Sequence, residues 1–118
     1  QDVMRTNGLL NKVTGLIVTA CDPEKIILFG SYAKGQQNRD SDLDLLVIGD
    51  FRGSWYLRDQ ELRQLLHTCP VHIDVHVATS QEVEAESAKP FSFLNSVLSS
   101  GLLLYASHGA SRYQGASR

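Results

Sequence analysis

The sequence predicts an α/β (α+β) domain built on a small mixed β-sheet, with helices packed mainly on one face. Three observations carry this. Residues 25–30, KIILFG, form an unbroken apolar run rich in branched side chains, which suits a strand covered on both faces. Residues 71–79, VHIDVHVAT, alternate strictly, setting Val71, Ile73, Val75 and Val77 against His72, Asp74 and His76. Leu9, Leu10, Val13, Leu16, Ile17 and Ala20 recur at helical spacing and predict an amphipathic helix within the first 20 residues.

The remaining elements follow in chain order. Asp22 and Pro23 stop the first helix, and Gly30 closes the first strand. Ser31 to Gln36 reads as a short helical turn and Gln37 to Ser41 as a polar loop. A second strand runs from about Asp42 to Ile48, with Leu43, Leu45 and Val47 on one face and Asp42, Asp44, Leu46 and Ile48 on the other. GDFRG then turns the chain. Trp55, Leu62, Leu65 and Leu66 stripe a helix that ends near Thr68, before Pro70, with Tyr56 beside the stripe and Leu57 off it. After the alternating strand, Thr79 and Glu82 have the spacing of a capping box, which predicts a helix beginning there. Phe91, Leu94, Val97 and Leu98 stripe another helix, ended by Gly101, and LLLYA reads as a short final strand. The domain is expected over residues 1–106, with 107–118 as a polar tail.

With 118 residues, 42% of them hydrophobic, the chain can build one real core. Its formal net charge of -2 gives no case for a general nucleic-acid surface. No apolar run nears the roughly 20 residues that cross a bilayer, and no signal-peptide pattern opens the chain, so a cytoplasmic protein is expected. Cys21 and Cys69 are too few for a disulfide scaffold and too far apart for a zinc knuckle.

The chemistry is concentrated between Gly30 and Val47. Asp42 and Asp44 lie one residue apart on a strand and therefore face the same way, an arrangement that is costly unless a cation sits between them. Magnesium takes such carboxylates together with substrate phosphates. Gly30 allows a phosphate to approach the backbone closely, while the Ser31 hydroxyl and the amides that open the turn can donate hydrogen bonds to it. Lys34, and less directly Arg39, would add positive charge against a triphosphate. Should the second and third strands be neighbours, Asp74 reaches the cation held by Asp42 and Asp44. Three carboxylates then hold two ions, and ions about 3.5–4 Å apart clamp the attacking and leaving oxygens of a displacement at phosphorus. Asp74 would also be placed to take the proton of the attacking hydroxyl.

Plainer readings apply to the neighbours. Asp40 reads as a turn residue, and Trp55 and Tyr56 as core. His72 and His76 are about 13 Å apart by strand rise, too far to share one ion, and read as site lining or surface. An isolated Asp-x-Asp is usually a solvated strand edge. The Gly-Ser turn and Asp74 are what reverse that reading here.

Gly30-Ser31, ten intervening residues, Asp42-x-Asp44 and a later Asp74 resemble the signature of the DNA polymerase β superfamily of nucleotidyltransferases. The GSYAKG and SDLDLLV segments are similar to its minimal nucleotidyltransferase (MNT) family, over roughly residues 9–106 and including Gly101 and Tyr105 near the end. Leu102 stands where that family often has a basic residue. The resemblance implies a polymerase β-like palm fold and an enzyme that uses ATP with two Mg2+ ions. It further implies transfer of AMP to a hydroxyl of a partner protein, a tyrosine of a small helical HEPN toxin for which the MNT member is the antitoxin. A partner is expected to complete the cleft, because larger relatives carry a helical domain for which this chain has no spare residues. Two rival readings remain: a degenerate nucleotide-binding module that neutralises its partner by contact, and transfer to a small molecule such as an aminoglycoside. Whether the chain also forms a homo-oligomer is left open.

Overall fold

The computed structural model describes residues 2–38, 40–50, 60, 63–64 and 66–107. Helix α1 (Asp2–Cys21) opens the chain, followed by strands β1 (Lys25–Phe29), β2 (Leu43–Ile48) and β3 (Ile73–Ala78). Helices α2 (Ser80–Ser87) and α3 (Phe93–Ser100) and strand β4 (Leu102–Ala106) complete it. α1 ends as its sequence demands. Asp22 adopts a left-handed φ of 50° while its amide still bonds the Val18 carbonyl, and Pro23, which has no amide to continue the ladder, follows.

The four strands form one sheet in the order β3-β2-β1-β4. β1 pairs antiparallel with β2 and with β4, whereas β2 and β3 are parallel, so the sheet is mixed as expected. The long segment between β2 and β3 meets the need of parallel neighbours for a crossover connection. No helix among the described residues is long and apolar enough to cross a membrane.

The helices, expected mainly on one face, cover both. The cause lies in β1 and β2, whose apolar runs bury side chains in both directions. Val13 and Ile17 of α1 pack with Ile26, Leu28, Leu43, Leu45 and Val47. On the opposite face Val97 of α3 joins Ile27, Leu46, Ile48 and Ala78, with Leu94, Leu98 and Val83 of α2 alongside. Fully burying each such side chain contributes about 1.5–3 kcal/mol, so neither face could be left open without large loss.

The capping box at α2 forms as predicted: Thr79 Oγ1 accepts from the Glu82 amide and Glu82 Oε1 accepts from the Thr79 amide. α3 differs from its expectation by one residue type. Ser92 caps it, its hydroxyl accepting from the Asn95 amide at 3.0 Å, so Phe91 falls before the helix and is 99% exposed. Phe93 occupies the first turn instead. Of the helix expected to end near Thr68, Trp55, Tyr56, Leu57, Leu62 and Leu65 lie outside the described residues, while Leu66 is buried in the α1-side core. Arg39 and residues 108–118 of the expected tail also lie outside them.

Candidate active site

The site begins where β1 ends. Phe29, its last residue, is the register partner of Asp44, and Gly30 then turns the chain with a φ of +77°. A Cβ at Gly30 would collide with Asp44 Oδ2 and stand 3.2 Å from Asp44 Cγ. Glycine is favoured here by the left-handed backbone, and an added Cβ would also force the Asp44 carboxylate to shift. The chain from Ser31 to Gly35 winds into hydrogen-bonded turns: the amides of Ala33 and Lys34 bond the Gly30 carbonyl at 3.1 and 3.2 Å, and the Gln36 amide bonds the Ser31 carbonyl at 2.8 Å. Ser31 is half-buried at the head of this turn, and Lys34 is exposed.

The parallel pairing of β2 with β3 supplies the second carboxylate. Asp44 and Asp74 are direct register partners on the adjacent strands. His76, two residues beyond Asp74, shares its face by the alternation of strand side chains. Its Nε2 lies 3.3 Å from Asp74 Oδ2. One donor atom from each of Asp44, Asp74 and His76 falls within 4.8 Å of the others. Two phenylalanines hold the imidazole: ring centroids stand 5.5 Å from Phe29 and 5.3 Å from Phe93, and Phe29 and Phe93 meet edge to face at 5.5 Å. Beside His76 and Phe93 a cleft of about 400 Å³ opens toward Leu46, Val75 and Leu94. Arg63 lines it too and donates to the Val75 carbonyl at 2.8 Å.

β2 starts at Leu43, so Asp42 lies just ahead of the strand, and its Oδ1 is 3.2 Å from His72 Nδ1 with half of its side chain exposed. It is not one of the three residues in the close group. It remains near enough to be felt. Burial first, then the charge of Asp74 and then that of Asp42, pushes the Asp44 carboxyl above its ordinary 3.8, against the opposing pull of His76 and His72. A bound cation would relieve that repulsion.

Two carboxylates and an imidazole form a donor set suited to a divalent ion. Neighbouring ligands on an octahedral ion at about 2.0–2.1 Å sit roughly 3 Å apart, close to the His76–Asp74 separation. His76 escapes notice as a ligand when its imidazole is weighed only as a partner for His72. The usable signal was Asp74-x-His76, the same one-residue spacing that singled out Asp42 and Asp44.

A mixed sheet that gathers acidic side chains from neighbouring strands beside a Gly-Ser turn defines a domain of the nucleotidyltransferase class. The profile of the nucleotidyltransferase domain family matches residues 16–100, and the chain belongs to that family of enzymes. Among curated proteins, one of Methanocaldococcus jannaschii named as a candidate protein adenylyltransferase is 48% identical over 44 residues. That match spans 37% of this chain and 38% of the relative, well under two thirds of its length. Among solved structures, the fold matches a chain of the toxin-antitoxin MntA-HpeT with a TM-score of 0.61 at 22% identity, covering 88% of this chain and 78% of the other. That protein is a mutant in which two aspartates one residue apart are glutamate. A toxin-antitoxin crystallised with AMP-PNP matches with a TM-score of 0.54, at the same identity and coverage.

Proposed function

We propose that this domain transfers a nucleotidyl group, AMP, from ATP to a hydroxyl on a partner protein, and that the partner is a helical HEPN-type toxin which the domain neutralises. The observation that carries the reading is the register pairing of Asp44 with Asp74, closed on one side by Gly30. The names of the relatives support it: one is called a protein adenylyltransferase, and the solved folds come from toxin-antitoxin pairs, one with an ATP analogue and one altered at an Asp-x-Asp pair.

In this reading Gly30 lets the triphosphate approach the backbone, Ser31 donates a hydrogen bond to a phosphate oxygen, and exposed Lys34 adds positive charge. Asp42, Asp44 and Asp74 hold Mg2+ or a similar ion, which when bound neutralises phosphate charge and lowers the pKa of the acceptor hydroxyl. Asp74 accepts the hydroxyl proton at its carboxylate. The acceptor oxygen then bonds the α-phosphorus, the bond from that phosphorus to the bridging oxygen breaks, and pyrophosphate leaves. The test is intact-mass measurement of the protein encoded beside this one after incubation with ATP and divalent ion. One or more added AMP groups are expected. An unchanged mass, identical with the wild type and with Asp44→Asn, would contradict the assignment.

A further inference from the structure

We propose that His76 is a ligand of the bound ion, which makes this a mixed carboxylate-imidazole seat that favours transition ions such as Mn2+ over Mg2+. This deepens the reading above and rests on it for the presence of an ion at the nucleotide site.

Three features separate His76 from an ordinary strand histidine. Its Nε2 points at the acidic pair, 3.3 Å from Asp74 Oδ2 and in one group with Asp44. Its ring forms one aromatic cluster with Phe29 and Phe93, with centroids 5.5 and 5.3 Å away, contacts that favour the orientation in which Nε2 faces the carboxylates. The His76 and Asp74 side chains keep 40% and 44% of their surface exposed, so an ion can reach them from solvent. His72 has none of this setting. It contacts Asp42 through Nδ1 with 69% of its side chain exposed, and stands outside the close group.

The chemistry follows from the donor atoms. Mg2+ binds oxygen almost exclusively and gives up water reluctantly, whereas first-row transition ions accept imidazole nitrogen readily. Exchanging one oxygen donor for Nε2 therefore weakens Mg2+ relative to Mn2+. A purely structural role is the competing explanation for the 3.3 Å contact, with His76 donating a hydrogen bond that holds Asp74 in place. That role predicts no nitrogen on the ion.

Pulsed electron paramagnetic resonance of Mn2+ added to the whole protein separates the two. Directly bound imidazole imprints nitrogen-14 modulation on the manganese signal, and the proposal expects it in the wild type and in His72→Gln but not in His76→Gln. Titration should show the preference for Mn2+ over Mg2+ falling at least roughly tenfold in His76→Gln, the lower end of what even an outer partner costs a metal site. Absence of nitrogen modulation in the wild type overturns the proposal without reference to any variant. So does its persistence in His76→Gln, or an unaltered ion preference there. Failure here with AMP transfer intact removes the imidazole ligand and leaves the transferase reading standing; a nitrogen-bound ion without transfer does the reverse.

Discussion

Replacing Gly30 with alanine tests whether the turn after β1 exists to keep Asp44 in place. Gly35 provides the control, because it also has a positive φ, +69°, yet a Cβ there would meet no atom within 4 Å. Both alanine variants force an L-residue into the left-handed region, at about 1–3 kcal/mol each, or a fall in melting midpoint on the order of 5 °C per kcal/mol. Only Gly30→Ala adds a collision with Asp44 Oδ2, and restoring ordinary contact requires that oxygen to withdraw by about 1 Å. A displacement of that size at a reacting group can cost roughly 100-fold in rate. The assay is AMP transfer at saturating ATP alongside thermal melts. Comparable destabilisation of both variants is expected, with transfer lost roughly 100-fold in Gly30→Ala and retained within a few-fold in Gly35→Ala. Equal activity in the two variants would refute the proposed link between this glycine and the carboxylate.

Asp44→Asn should melt above the wild type at neutral pH in the presence of a chelator. Because the folded carboxyl is raised above its ordinary 3.8, its ionisation destabilises the fold as pH climbs through and above that value. The advantage of the variant should therefore vanish in melts recorded below pH 3.8, where both folded and unfolded wild-type chains are protonated. Leu45→Ala, at a position with no exposed surface between β2 and α1, should cost about 2–5 kcal/mol in urea unfolding without abolishing ion binding. Thr79→Ala removes the acceptor of the α2 cap and should cost about 1 kcal/mol in the same experiment.

Much of the site was legible because strand alternation is rigid. Once residues 71–79 were read as a strand with Asp74 on its polar face, adjacency to β2 was the one missing fact, and the parallel register supplied it. Gly30 was legible as a turn, but its contact with Asp44 was not, because that depends on the antiparallel pairing of Phe29 with Asp44. Asp42 was harder to place from the sequence: β2 begins one residue later at Leu43, and the Asp42 carboxylate meets His72, whose neighbourhood depends on the parallel pairing with β3. Apolar runs in β1 and β2 already required cover on both sides, so the division of helices between two faces could have been inferred from them. Phe91 misled because its spacing fits the α3 stripe, whereas Ser92 sets where the helix starts.

Binding of a non-hydrolysable ATP analogue, followed by calorimetry with and without divalent ion, bears most directly on whether Asp44 and Asp74 form an ion-dependent nucleotide seat. Binding to the wild type is expected only when the ion is present, and is expected to be lost in Asp44→Asn. Equally tight binding in chelator, or in Asp44→Asn, would contradict such a seat.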